Sequence, residues 1–462
     1  MQNSGDGHQE DGQGSSTQAS DPDSIDAMPT KAFFVDMLIR DIPLERAVLD
    51  LVDNCIDGAK RLRDPEQRDF SGLWVKITMS ENQFLIEDNC GGFDTDTAKN
   101  YAFRFGRPPG SSSTSYSIGQ FGVGMKRALF KFGRKFVLAS ATADERWKVD
   151  EDVDAWEKTP HWSFAFKERE TASNVPEEER GTSVSVEKLR PEVAVKFGSP
   201  YFQRSLSELI RIHQRQFISR GLEIRFNGDV LSATNLEMLT GNVVPAVETF
   251  THKIEEEGVV YDVNVRLVAG VGSSNPSSAG WFVVCNGRVV LAADRTEATG
   301  WGLAIENAAL MPRFHNQFAR FRGVAYFECT NAKFLPWNTT KTGLDADTIV
   351  WRLALQKMII MARSVIDFLN EVDREQSEQG NDGPLQRALT AASTAQAETI
   401  TSSSSFRAPD ASRYAGPRQV RISYSRPAEK VDHLMSAFSV NSAKAVGERS
   451  FDLAWQDEED AK

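Results

Sequence analysis

Residues 50–59 read Asp50-Leu51-Val52-Asp53-Asn54-Cys55-Ile56-Asp57-Gly58-Ala59. Around them Leu44, Ala47, Val48, Leu51, Val52, Cys55, Ile56 and Ala59 recur at helical spacing and predict a helix with one apolar face. Pro43 suits its first turn. At about 100° per residue, Asp50, Asn54 and Asp57 fall in a narrow polar stripe beside that face. Asp53 falls further round, toward solvent. Three polar side chains bordering a core stripe are placed to line a cleft, although a solvated helix face gives the same pattern.

Downstream, Leu73, Val75, Ile77 and Met79 alternate as a half-buried strand does. The turn Glu81-Asn82-Gln83 leads to a hairpin partner, Phe84-Leu85-Ile86. Glu87-Asp88-Asn89-Cys90-Gly91-Gly92 stands where that strand ends. These are turn residues, but an acid followed by glycines also lets a backbone approach a ligand closely. A helix is expected around 95–105, and the broken, polar stretch 108–115 reads as a loop. Gly119-Gln120-Phe121-Gly122-Val123-Gly124-Met125-Lys126 then precedes a helical stretch. A glycine-rich turn feeding a helix N-terminus favours a phosphate. The Walker pattern fails because Met125 separates the last glycine from Lys126, and Arg127 follows. The Rossmann pattern fails because its glycine spacing is reversed and a strand must precede it. Strand-like segments recur at 135–142, 162–167 and 182–187, the last opened by Arg180-Gly181-Thr182-Ser183-Val184. The order of elements predicts an α+β chain, a two-layer α/β sandwich with helices on one face of a sheet.

In this order and spacing, the four features resemble the GHKL superfamily, which includes gyrase B, the large heat-shock chaperone ATPases, MutL and the microrchidia ATPases. Asp50 to Ala59 resembles that family's N box, and Asp88 to Gly92 its Asp-x-Gly-x-Gly box. Gly119 to Gly124 is similar to the chaperones' lid motif, with Met125-Lys126 closer to the microrchidia proteins, and Gly181-Thr182 matches the last box. The resemblance implies the Bergerat-type sandwich and a site for ATP and Mg²⁺. Asn54 takes the place of the Mg²⁺ ligand, and one protein oxygen suffices for magnesium beside phosphates and waters. Asp88, supported by Thr182 and with Gly92 beside it, would receive the adenine amino group. Gly119, Gln120, Phe121, Gly122, Val123 and Gly124 would cradle the phosphates, with Lys126 adding charge. Asp57 would face the nucleotide or serve only as a helix-face carboxylate. Two departures stand out. Asp50 occupies the position of the family's catalytic Glu, one methylene shorter, and Cys90 occupies that of the second box's first glycine. A displacement of about 1 Å costs on the order of 100-fold in rate, so binding of ATP is better supported than fast hydrolysis.

A second folded region is expected from about 196 to 372. Strand-like patterns at 222–226, 259–268, 281–285 and 323–328, then a helix over 348–372, fit an α/β transducer. Phe334-Leu335-Pro336-Trp337-Asn338-Thr339-Thr340-Lys341-Thr342 resembles the loop that brings a transducer lysine to the γ-phosphate, which makes Lys341 the candidate; a polar surface loop is the plainer reading. The resemblance further implies a lid over 106–124, ATP-dependent homodimerisation, and action on DNA or a protein client. A non-hydrolysing, ATP-gated interaction module is the alternative.

The rest is compositional. Residues 1–29 and 373–462 are polar and expected to be mostly disordered. Arg413, Tyr414, Arg418, Arg421, Tyr424 and Arg426 interleave charge and rings, as a single-stranded nucleic-acid or partner-docking segment can. The 462-residue chain carries a net charge of −12, which disfavours wrapping of nucleic acid by a uniformly basic surface. Four cysteines without metal spacing, no long apolar run and no apolar leader predict a cytosolic protein without a membrane span.

Overall fold

The computed structural model describes residues 29–461 apart from 66, 105–114, 120–123, 172–173, 304–309, 339, 380–382 and 410–421. Helices α1 (Lys31–Arg40) and α2 (Leu44–Arg61) come first, followed by the hairpin β1 (Trp74–Met79) and β2 (Phe84–Asp88). The expected helix around 95–105 is a short α3 (Thr95–Thr97) running into one π turn, Ala98–Ala102. Then come α4 (Gly124–Phe132), β3 (Gly133–Ala141), β4 (Glu145–Asp152), α5 (Val153–Glu157), β5 (Phe166–Thr171) and β6 (Gly181–Leu189). Helices α6 (Pro191–Phe197), α7 (Pro200–His213) and α8 (Arg215–Ser219) lead to β7 (Glu223–Phe226) and β8 (Asp229–Val230).

These eight strands form one sheet in the order β5-β4-β3-β6-β2-β1-β7-β8. Its inward row (Val75, Ile77, Phe84, Ile86, Phe136, Leu138, Val184, Val186) is buried under Val48, Val52 and Ile56 of α2 and Leu129, Phe130 and Phe132 of α4. Burial of such side chains contributes about 1.5–3 kcal/mol each. Rings lock the layers: Phe84 and Phe132 centroids are 4.9 Å apart. The outward row is polar, with Lys76 and Thr78 exposed. The α+β sandwich read from the sequence is therefore the architecture found.

Three local readings are corrected. The strand at 222–226, expected in the second region, pairs in parallel with β1 and extends the first sheet. Its crossover is supplied by the helices α6 to α8, as parallel pairing requires. The segment expected as a strand over 162–167 begins its ladder only at Phe166, because Trp162 and Phe164 turn onto Phe34 and Trp156. β4 was not anticipated: six of its eight residues are charged, and only Trp147 and Val149 are buried.

The second region holds β9 (Glu237–Thr240) and then β10 (Ala246–Glu256), β11 (Val259–Val271), β12 (Gly280–Cys285), β13 (Arg288–Asp294) and β14 (Phe321–Glu328). The last five form a sheet in the order β10-β11-β14-β12-β13. One face packs on α9 (Ile349–Gln379), which runs seven residues past its expected end. The other face is closed by residues expected to be disordered. β15 (Ser393–Gln396) pairs with β9, Ala397 packs beside Met238, Val247 and Val324, and Ser404 exchanges backbone bonds with Val247. Between them α10 (Pro384–Thr390) buries Leu385 and Leu389, and the Glu375 carboxylate accepts the Leu385 and Gln386 N–H groups at its N-terminus, both at 3.0 Å. Helices α11 (Ala428–Phe438) and α12 (Ala443–Asp460) close the described chain. Thus α10, β15, α11 and α12 are regular structure where disorder was expected; α10 and β15 are ordered by what they pack on, whereas α11 buries no residue and α12 only Val446. Residues 1–28 and most of the Arg413–Arg426 segment lie outside the described residues. No helix among the described residues is long and apolar enough to cross a membrane.

Candidate nucleotide site

The site is built where β2, β6 and α2 converge. Asp88 ends β2 opposite Thr182 on β6. Its Oδ1 accepts the Cys90 N–H at 2.8 Å and the Thr182 N–H at 3.3 Å. Burial pushes its carboxyl up to about 6, against those donors. Such proximity demands glycine. A Cβ on Gly181 (φ 152°) would lie 1.8 Å from the Asp88 carbonyl oxygen, and one on Gly92 (φ 62°) would lie 2.3 Å from that of Ala141. Gly58 plays the same part on α2, where a Cβ would stand 2.9 Å from the Cys90 carbonyl. Cys90 itself needs no left-handed backbone; Gly91 and Gly92 take the positive φ values instead. The departure at that position is thus absorbed by its neighbours.

The polar stripe of α2 divides its work. Asn54 is exposed, and its carboxamide has no hydrogen-bond partner among the described residues. Asp57 is buried and accepts the Ile118 and Gly119 N–H groups, each at 2.7 Å, so it fastens the chain entering the glycine-rich turn. The Gly119 N–H, expected on a phosphate, is held by Asp57. Asp50 faces the start of α4, where a Cβ on Gly124 would come within 3.0 Å of its Oδ2. Burial raises the Asp50 carboxyl, while the neighbouring Lys341 opposes the shift.

Lys341 reaches this stripe from the second region. Its Nζ lies 3.7 Å from Asp50 Oδ1 and 2.9 Å from Asp53 Oδ2. The Lys341 backbone is left-handed (φ 52°), a conformation costing on the order of 1 kcal/mol. It is held by a 2.9 Å bond from Arg288 Nη1 to its carbonyl.

Residues 42–182 match the family model described as histidine kinase-, DNA gyrase B-, and HSP90-like ATPase. Residues 42–182 are a GHKL ATPase domain. No curated protein matches the chain. The match spans every candidate nucleotide residue from Asp50 to Thr182 and leaves Lys341 outside. A GHKL ATPase domain supports ATP binding and nucleotide-driven switching in general.

In this GHKL domain the donor set fits Mg²⁺ with a nucleotide: one unengaged, exposed carboxamide oxygen at Asn54 beside the Asp50 carboxylate, with phosphates and waters completing an octahedral shell. Lys126 does not fit its expected role. Its amine is buried and donates to the carbonyls of Ala102, at 2.8 Å, and Arg104, so it braces the chain entering residues 105–114. Burial lowers its pKa to about 7. Gln120, Phe121, Gly122 and Val123 lie outside the described residues.

Asp53 is the largest correction. Expected toward solvent, it is wholly buried. It accepts Arg288 Nε and Gln214 Nε2 on Oδ1, both at 2.9 Å, and Lys341 on Oδ2. Burial alone would raise its carboxyl; Arg288 and then Lys341 outweigh that and hold it at about 2. The helical wheel of α2 places Asp53 on an outer face, and the second region covers that face. Arg288 and Gln214 carry no local signal. Ser140, another missed residue, accepts the Phe93 N–H at 2.8 Å and donates to the Gly181 carbonyl at 3.3 Å, joining two of the boxes. Its one signal is a hydroxyl in the row Phe136, Leu138, Ser140, where an apolar side chain is the norm.

Proposed function

We propose that the chain binds Mg·ATP in the GHKL domain and uses it to switch the relation between the two sheets. Asp88 and Thr182 receive adenine, Asn54 takes the magnesium, and Gly124 meets the phosphates at the N-terminus of α4. A bound magnesium ion would neutralise phosphate charge as the terminal bond breaks. Asp50 orients and deprotonates the attacking water, burial having raised its carboxyl above the usual aspartate range. Lys341 meets the γ-phosphate from the second region and so distinguishes ATP from ADP by one charge.

The observation that carries this reading is the Lys341 ammonium 3.7 Å from Asp50, brought there across more than 280 residues of chain. Coupling to the lid supports it. Tyr116 N–H donates to the Thr330 carbonyl, and Asn286 Nδ2 to the Ser117 carbonyl, so the residues entering the glycine-rich turn are tied to the second sheet. ATP-dependent homodimerisation follows as the output, with DNA or a protein as client. The test is molecular mass in solution with ADP and with a non-hydrolysable ATP analogue. A shift to twice the mass with the analogue alone is expected; identical masses and no stabilisation by either nucleotide overturn the reading. The shorter acid at Asp50 favours one second reading, an ATP-gated module without turnover. Single-turnover hydrolysis separates the two.

A further inference from the structure

The seam between the two sheets contains another cleft, on the far side of α2's C-terminal turn. Lys60, Arg63, Arg68 and Arg220 line it with Asp64 and Glu328, and Phe70, Phe217 and Tyr116 supply its apolar wall. The wall is rigid. Phe70 and Phe217 meet edge to face at 5.6 Å, the Lys60 ammonium lies 4.9 Å from the Phe217 ring centre, and the Arg68 guanidinium lies 5.6 Å from that of Tyr116.

The charges do not balance. Arg68 takes both oxygens of Glu328 in a bidentate pair. Lys60 donates to the Tyr116 and Asn286 carbonyls, at 2.8 and 2.9 Å. Arg63 reaches the Ser71 carbonyl through one nitrogen. Arg220 has no hydrogen-bonded acid among the described residues, and burial, with the charge of Arg68 behind it, lowers its pKa. Lys60 has the charge of Asp57 near it, which leaves Arg63 and Arg220 standing against Asp64. Half-buried cations without acids are costly, and an anion that completes them is bound correspondingly well.

We propose that this cleft is an oxyanion site: it takes one phosphate or carboxylate group, as free inorganic phosphate or at the end of a small molecule, against Arg220 and Arg63. The cleft is narrow, which suits one such group and not a whole nucleotide. Its occupant bears on residues 115–119, because Tyr116 is at once a wall of the cleft, an acceptor for Lys60 and a donor to Thr330. This goes beyond the ATP reading and does not depend on it.

The test titrates inorganic phosphate, at constant ionic strength, into the full chain saturated with a non-hydrolysable ATP analogue. Calorimetry reads binding, and hydrogen exchange reads residues 115–119. Binding with slowed exchange there is expected, weakened about tenfold or more by Arg220→Gln and also weakened by Arg63→Gln, the second variant in case the first misfolds. Phenyl phosphate replaces inorganic phosphate in a parallel titration; tighter binding of the aryl ester assigns a small molecule resting on Phe217, and equal binding assigns free phosphate. No phosphate binding to the wild type, or binding unchanged in both arginine variants, overturns the proposal. The binding that depends on Arg63 and Arg220 is expected to persist when the analogue is left out, so failure of the ATP reading and failure of this one are told apart.

Discussion

Arg288 on β13 and Asp53 on α2 form an ion pair, Nε to Oδ1 at 2.9 Å, with both side chains completely buried. It is one of the points where the GHKL domain and the second sheet are joined by charge, Arg68 with Glu328 being another. Lys341 and Gln214 complete the set, and the remaining Arg288 Nη2 and Gln214 Oε1 have no hydrogen-bond partner among the described residues. Removing one partner from such a cluster strands the other.

Arg288→Met is expected to destabilise the chain by about 3–5 kcal/mol, the usual cost of breaking a buried pair. Asp53→Leu with Arg288→Met is expected to recover much of that loss. Urea unfolding of the single and double variants measures the coupling. A loss in the double variant equal to the sum of the two single losses would show that the pair itself contributes nothing.

Asp88 gives the fold a pH dependence of definite sign. Its folded pKa of about 6 lies above the unfolded value of 3.8. Its favourable contribution is therefore complete below about pH 4 and is lost as pH rises through 6. Asp88→Asn is expected to be the more stable protein at pH 7, by on the order of 2–3 kcal/mol, and to show no advantage at pH 3. The same variant is expected to lose nucleotide affinity. Denaturation midpoints at the two pH values decide the first point.

Gly181→Ala is expected to cost about 3 kcal/mol or more, because the new methyl would lie 1.8 Å from the Asp88 carbonyl. Gly72→Ala has a positive φ of 82° but open space around it, so a cost of about 1 kcal/mol is expected. Comparing the two by thermal unfolding separates steric conflict from backbone preference.

Asp50→Ala is expected to lower single-turnover hydrolysis about 100-fold or more, with ATP affinity little changed. Lys341→Met is expected to lower it as well and to abolish the difference between ATP analogue and ADP in solution mass. A rate unaffected by Asp50→Ala would remove that residue from catalysis and leave the ATP-gated module as the better account.

Much of this was legible in one dimension. The N-box helix, the β1–β2 hairpin and the four glycine-bearing boxes announce themselves because each depends on local spacing: apolar residues three and four apart, alternation of two, glycines where backbones touch. The ordered C-terminal region was not legible, since Ser393-Thr394-Ala395-Gln396 has no apolar period and becomes a strand only because β9 offers it an edge. Lys126 was misread for a related reason. Its place after the glycines suggested a phosphate, while the direction of its side chain is set by the packing of α4.

The polar stripe on α2 was determined by the sequence itself: 3.6 residues per turn puts Asp50, Asn54 and Asp57 on one side whatever surrounds them. What each of them faces was decided only by tertiary structure. Asp57 met the chain entering the glycine-rich turn, Asn54 stayed open, and Asp53 was enclosed with Arg288 and Lys341 from the second sheet. A helix's period fixes directions about its own axis. The charge that waits in each direction is supplied by residues hundreds of positions away, and only the packed chain brings them there.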